Sequence, residues 1–196
     1  HEMGVAYRIA GRHAGQDPWL FLDLRAARRR VMQEVPGKSL LNLFAYTCGV
    51  GIAAAKAGAR FVVNVDFAES SLSIGKESAR LNALPVRPRF VKCDAFAAMR
   101  QYSGLGQAER VRGKVMPPFP KLEKQAFDLV FLDPAYEADI VDPVLGSLVS
   151  AGRLAPRALV VIERSARGAA PQWPRVFTDV WERGYGETVL YFGATD

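Results

Sequence analysis

Short apolar runs, each closed by a polar or glycine-bearing stretch, alternate along this chain with segments of helical spacing. Leu40, Leu41, Leu43 and Phe44 form the first run, which reads as a strand of a parallel sheet covered on both faces. A turn follows at Tyr46-Thr47-Cys48-Gly49-Val50-Gly51. Ile52 to Ala59 are almost all small and apolar, which predicts a helix from near Gly49 lying tightly on the sheet and stopped by Gly58. Apolar runs then recur at Val62 to Val65 (closed by Asp66), at Phe90-Val91 (closed by Asp94) and at Phe127 to Leu132 (closed by Asp133). Beyond them the pattern predicts an amphipathic helix from Ala138 to Leu148 and a fifth strand from Ala158 to Ile162. Two last strands, Arg175 to Glu182 and Thr188 to Phe192, are joined by the hairpin signal Gly184-Tyr185-Gly186.

This alternation predicts an α/β fold with a mostly parallel sheet in a single domain. Residues 1–38 read as an extension containing an early strand at Val5–Ile9 and a basic helix opened by Phe21-Leu22-Asp23-Leu24-Arg25; residues 39–196 read as the core. His1-Glu2 ahead of Met3 has the look of a tag remnant. Between the third and fourth strands, Gln101 to Gln125 carries Gly104, Gly106, Gly113, Pro117, Pro118 and Pro120 without periodicity. It reads as a long loop at the edge of the sheet where ligands bind, with Tyr102, Arg110, Arg112 and Phe119 as substrate contacts.

The acids that end the strands suggest the chemistry. Gly49 and Gly51 let the backbone bend and a ligand approach it closely. Asp66, about twenty residues beyond the first strand, can accept hydrogen bonds from both hydroxyls of a ribose. Asp94 can face an adenine amine or cap a helix. The third glycine of the dinucleotide fingerprint is replaced by Ala54. That disfavours a nicotinamide oxidoreductase without removing it as an alternative.

With Asp133-Pro134-Ala135-Tyr136 the chain resembles class I S-adenosylmethionine-dependent methyltransferases, and the tetrad resembles their (Asn/Asp)-Pro-Pro-Tyr motif for methylating exocyclic amines. An aryl amine is a poor nucleophile, so acceptors must hold its protons and orient the nitrogen. Asp133 and the Pro134 carbonyl can do this while Tyr136 stacks on the base. Residues 5 to about 125 resemble bacterial large-subunit ribosomal-RNA cytosine methyltransferases through Val5-Ala6-Tyr7-Arg8-Ile9, Phe21 to Arg25 and Leu41 to Thr47. The remainder resembles small-subunit ribosomal-RNA guanine-N2 methyltransferases through the tetrad, Val160-Val161-Ile162-Glu163-Arg164-Ser165 and Tyr185 to Leu190; a recombined chain would carry both. The resemblance implies a Rossmann-like, seven-stranded sheet in the order 3-2-1-4-5-7-6 with strand 7 antiparallel and a short N-terminal β extension. It implies S-adenosylmethionine as cofactor, bound by Asp23, Arg25, Asn42, Phe44, Tyr46, Thr47, Gly49, Gly51, Asp66, Phe67, Asp94 and Ala95, with Asp133, Pro134 and Tyr136 as the catalytic set. Ala135 replaces the second proline, which loosens the loop and leaves a binding module with weak or no turnover as an alternative.

Methylation at cytosine carbon 5 requires a nucleophilic thiolate. Cys48 lies in the glycine turn and Cys93 before Asp94, away from where those enzymes carry theirs, so amine methylation is expected. Two cysteines frame neither a zinc site nor a disulfide scaffold, and no metal is expected. The 196 residues, 49% of them hydrophobic, suffice for one substantial core. No apolar run approaches a membrane span, and cytoplasmic residence is expected. A formal charge of +6 concentrates in Arg25, Arg28, Arg29 and Arg30 and again at Arg110, Arg112, Lys114, Lys121 and Lys124. Arg28, Arg29, Arg110 and Arg112 are therefore candidate phosphate contacts, and the resemblance implies ribosomal RNA as the partner.

Overall fold

In the computed structural model the described residues are 1–10, 18–94, 110–111, 114–115, 126–134 and 140–196. The strands are β1 (Ser39–Leu43), β2 (Phe61–Asp66), β3 (Arg89–Lys92), β4 (Arg110–Val111), β5 (Lys114–Val115), β6 (Phe127–Leu132), β7 (Leu154–Ser165), β8 (Phe177–Tyr185) and β9 (Thr188–Thr195). The described helices are α1 (Arg25–Glu34), α2 (Gly49–Lys56), α3 (Glu69–Arg80) and α4 (Val141–Ser150). Seven strands form one sheet in the order β3-β2-β1-β6-β7-β9-β8. The pairs among β3, β2, β1, β6 and β7 are parallel, whereas β9 runs antiparallel to both β7 and β8. Numbered along the chain without the β4–β5 hairpin, this is the expected 3-2-1-4-5-7-6 order.

Successive side chains of a strand point to opposite faces, and here that alternation divides the apolar residues between two cores. Leu40, Val62, Leu129, Phe131 and Val161 pack with Ala27 and Val31 of α1 and Val50 and Ala54 of α2. Leu41, Leu43, Val63, Val65, Val130 and Leu132 pack with Val144, Leu145 and Leu148 of α4. All five β1 residues are buried, which is why Leu40, Leu41 and Leu43 lie so close together on both of its faces.

Gly58 ends α2 as expected. It takes φ 91°, while the Gly58 and Ala59 N–H groups donate to the carbonyls of Ala55 and Ala54, the paired bonds of a Schellman motif. The final hairpin turns at Gly186-Glu187, with Tyr185 paired to Thr188. β7 and β9 extend beyond the expected bounds, and α4 begins three residues later than the expected Ala138.

Three expectations need correction. No strand forms over Val5–Ile9: among the described residues the extension makes one isolated β-bridge, Glu2 with Val5. Its polar groups are met by side chains at the end of α3 instead. The Ala6 N–H donates to Asn82 Oδ1, Asn82 Nδ2 donates back to the Ala6 carbonyl, and the Arg8 N–H donates to Ser78 Oγ. Glu2, read as part of a tag remnant, is built into the fold: both of its carboxylate oxygens hold a guanidinium. That guanidinium belongs to Arg28, which is 1% exposed and so is not a free phosphate contact. Within the expected loop of residues 101–125, β4 and β5 pair as a short antiparallel hairpin.

Candidate active site

The strand order reverses between β1 and β6, parallel neighbours whose onward connections lead to opposite sides of the sheet. Such a switch point leaves a crevice at the carboxyl ends of the strands. A cleft opens there, lined by Leu20, Phe21, Leu24, Arg28, Asn42, Phe44, Ala45, Tyr46, Thr47, Gly49, Val50, Phe131 and Asp133.

The loop from β1 to α2 has an unusual backbone. Phe44, Tyr46 and Cys48 take φ of 56°, 47° and 63°, the left-handed region that costs a residue with a Cβ about 1–2 kcal/mol. Asp66 holds this loop in place: its Oδ2 accepts from the Tyr46 N–H at 2.8 Å and its Oδ1 from the Ala68 N–H at 2.8 Å. Burial raises the Asp66 carboxyl above its ordinary range, opposed by these backbone donors. Thr47 ties the loop to the N-terminal segment by donating its hydroxyl to the Trp19 carbonyl, and the Tyr46 ring meets Phe21 at 5.5 Å.

α2 begins at this loop without a side-chain cap, so its first turn presents backbone N–H groups at the cleft wall. Gly49 sits there; a Cβ on it would come within 3.1 Å of Leu20 Cδ1, so the glycine keeps the cradle open. Gly51 has another reason to lack a side chain. Its Cβ would stand 1.9 Å from Asn64 Oδ1, the atom that accepts from Asn42 Nδ2 at 2.9 Å. Asn42 and Asn64 thus form a buried polar link across β1 and β2, and Gly51 makes room for it.

Asp66 and Phe67 end β2 beside the loop, and Phe67 is 73% exposed. Asp94, beyond β3, is exposed; Ala95 lies outside the described residues. Asp23 is exposed at the start of α1, where its Oδ1 accepts from the Leu24 N–H at 3.0 Å. Arg25 and Arg29 are exposed on α1. The Arg28 guanidinium lies within the fold, donating to Glu2 through Nε and Nη2 and to the Phe21 carbonyl through Nη1.

At the end of β6, Asp133 lines the cleft and Pro134 is buried. Ala135, Tyr136 and Arg112 lie outside the described residues, while Arg110 is placed in β4. Leu132 pairs with Ile162, which sets Asp133 beside Glu163 on the neighbouring strand. The two carboxyl groups are hydrogen-bonded, and burial, Glu163 and Asp23 hold the Asp133 carboxyl well above its ordinary range. Sequence reasoning had not counted Glu163, Leu20, Phe21 or Leu24 among the site residues. An acid closing the apolar run Val160-Val161-Ile162, one strand from Asp133, was the available signal for Glu163.

The arrangement fits a nucleoside cofactor with a charged tail: an acid and an exposed aromatic ring end β2, a glycine-floored cradle lies at a helix start, and a second acid sits at the β6 end. Among the described residues there is no cluster of His, Cys, Asp or Glu that could hold a metal ion.

Comparison with known proteins places the fold and the family. A Streptococcus mutans chain assigned to the S-adenosylmethionine-dependent methyltransferases superposes with a TM-score of 0.74 at 18% identity, covering 99% of this chain and 54% of that one. An S-adenosylmethionine-dependent methyltransferase from Agrobacterium tumefaciens gives 0.66 at 17% identity over 100% of this chain and 68% of its own. In sequence, the chain is 32% identical over 147 residues to ribosomal RNA large subunit methyltransferase I of Aeromonas salmonicida, covering 74% of this chain and 32% of that protein. It is 34% identical over 121 residues to ribosomal RNA large subunit methyltransferase K/L of Psychrobacter arcticus, covering 60% of this chain and 13% of the relative. The chain therefore spans about a third or less of the length of these relatives. The family model described as S-adenosylmethionine-dependent methyltransferase matches residues 1–145, and the chain belongs to that family.

Proposed function

We propose that this chain is the catalytic domain of a ribosomal-RNA methyltransferase that modifies an exocyclic amine of guanine. The observation that carries the reading is the placement of Asp133, at the end of β6, in the same cleft as the β1–α2 loop. S-adenosylmethionine, when bound, supplies a methyl group on a positively charged sulfur. The rest is positioning by the protein. Each Asp66 oxygen, one bonded to Tyr46 N–H and the other to Ala68 N–H, keeps lone-pair capacity for a ribose hydroxyl, Phe67 offers an exposed face to the adenine, and Asp94 with Ala95 meets its amine. The first turn of α2 at Gly49 receives the carboxylate of the methionine end. Asp23 and Arg25 stand at the rim, and Asn42, Phe44, Tyr46 and Thr47 shape the wall. Asp133 and the Pro134 carbonyl hold the amine hydrogens of the target base, and Tyr136 stacks on it.

The RNA assignment is supported by the names of the ribosomal-RNA methyltransferase relatives and by the basic charge. Arg29 and Arg25, exposed on α1, are candidate phosphate contacts, with Arg110 and Arg112 as further candidates. The target base must be unpaired or flipped to reach the cleft, at about a few kcal/mol.

Cytosine carbon 5 is the less favoured target. Cys48 and Cys93 are both buried, and burial pushes the Cys48 thiol up, away from thiolate.

The experiment is transfer of labelled methyl groups to unmodified ribosomal-RNA transcripts, followed by nucleoside mass spectrometry. N2-methylguanosine is the expected product, and its formation should be abolished by Asp133→Ala; label in 5-methylcytidine alone would refute the reading.

A further inference from the structure

We infer that Glu163 is a positioning residue for Asp133: its buried carboxylate accepts the hydrogen of the Asp133 carboxyl group, so that Asp133 offers the cleft a neutral carbonyl oxygen, as an asparagine would. This rests on the amine-methylation reading and adds a proton and a partner to it.

The geometry comes from the parallel pairing of β6 and β7. Leu132 pairs with Ile162, which brings the next residues, Asp133 and Glu163, side by side. Glu163 is 1% exposed, and the two side chains are hydrogen-bonded to each other. Two ionised carboxylates have no hydrogen to share, so one group of such a pair carries a proton.

The surroundings select Asp133 as the group that carries it. From the segment before α1, Asp23 adds negative charge. From α1, Arg28 reaches the cleft wall, but its Nε and Nη2 are engaged by Glu2 and its Nη1 by the Phe21 carbonyl. From the β1–α2 loop, Tyr46 is the titratable group lining the cleft. The pair is buried as a unit, so it is the negative charge of Asp23 beside Asp133 that places the proton on Asp133.

The consequence concerns what Asp133 can do. With its hydroxyl turned to Glu163, the remaining oxygen accepts an amine N–H. The tetrad that begins here resembles a motif whose first residue is asparagine or aspartate, and a neutral aspartic acid performs the task of the asparagine carbonyl.

The test is an NMR titration of the whole chain carrying 13C-labelled aspartate carboxyl groups, with the Asp133 signal assigned by its loss in Asp133→Asn. The Asp133 carbon should remain at its protonated position at pH 7 in the wild type. In Glu163→Gln, where the charged acceptor is gone, its midpoint should drop by roughly 2 pH units or more. An ionised Asp133 in the wild type at pH 7, or an unchanged midpoint in Glu163→Gln, would overturn the inference. Should Glu163→Gln fail to fold, the wild-type midpoint alone decides.

Methyl transfer to unmodified ribosomal-RNA transcripts gives the second readout. Asp133→Asn should keep transfer that Asp133→Ala loses, and its rate should no longer fall on the alkaline side as the wild-type rate does. Equal inactivity of the two variants would overturn the carbonyl role. A protonated Asp133 in a chain that methylates no RNA amine would instead refute the amine reading and leave the shared proton standing.

Discussion

Glu2 grips Arg28 with both carboxylate oxygens, Oε1 to Nε and Oε2 to Nη2, each at 2.8 Å. The side chains are 9% and 1% exposed, so this pair near the start of the chain closes the fold over α1 and one wall of the cleft. Removing Glu2 leaves a buried guanidinium without its counter-charge, a loss of about 3–5 kcal/mol. Glu2→Ala should therefore lower the urea-unfolding free energy by about that amount. Arg28 holds the Glu2 carboxyl below its ordinary range. Its contribution is thus complete above about pH 4.3, the unfolded-state value, and disappears as pH falls through the lower folded-state midpoint. Urea melts repeated across that acidic range measure this loss in the wild type and its absence in Glu2→Ala.

Gly51 and Asn64 predict a packing defect. A Cβ at position 51 would meet Asn64 Oδ1 at 1.9 Å, so Gly51→Ala must displace the amide that bridges to Asn42. Overpacking of this kind costs about 1–3 kcal/mol, readable as a lower thermal midpoint. Combined with Asn64→Ala the clash is relieved, and the double variant should lose less than the sum of the single losses.

At Asp133 the expected effect has the opposite direction. Burial, Glu163 and Asp23 keep its proton on in the folded chain, whereas the unfolded chain releases it near about pH 3.9. The folded state binds more protons in the window above that pH, so stability falls as pH rises toward the folded-state midpoint. Asp133→Asn has no proton to lose there. It should gain stability relative to the wild type across this window, on the order of 1 kcal/mol or more by pH 7, measured by urea unfolding at the two ends of the range.

The cysteines offer a clean discrimination between target atoms. Cys48 and Cys93 are buried, and the Cys48 Sγ touches the place where a Cβ on Gly75 would be, 2.8 Å away. The double variant Cys48→Ala, Cys93→Ala should lose some stability through the cavities left behind while still transferring methyl groups to RNA. Complete loss of transfer in a folded double variant would point to a thiolate mechanism.

The sheet was legible because its central strands are buried on both faces. All of β1 is core, and its short length, its leucines on both faces and the glycine turn that closes it read as a parallel strand rather than a helix. Val5–Ile9 misled for a physical reason: its backbone bonds to the side chains of Asn82 and Ser78 rather than to a strand, and alternation in a sequence does not reveal the partner. Arg28 was read as surface charge although it adjoins Ala27 and Val31 on the apolar face of α1, and its partner Glu2 lies too far along the chain to be paired by local spacing. Of the site, the polar and glycine positions Asn42, Tyr46, Thr47, Gly49 and Asp133 meet in one cleft. Leu20, Phe21 and Leu24 also line it, but carry no chemistry that would distinguish them from core residues.

The account depends most on the β1–α2 loop, held by Asp66, being the floor of the cofactor site. Calorimetric titration of the intact chain and of Asp66→Ala with S-adenosylmethionine and its demethylated product tests this directly. Asp66→Ala frees the N–H groups of Tyr46 and Ala68 and removes the ribose acceptor. Binding by the intact chain that weakens by about tenfold or more in the variant, a loss of about 1.4 kcal/mol or more, is the predicted result; no binding by the intact chain, or equal binding by both, would contradict the account.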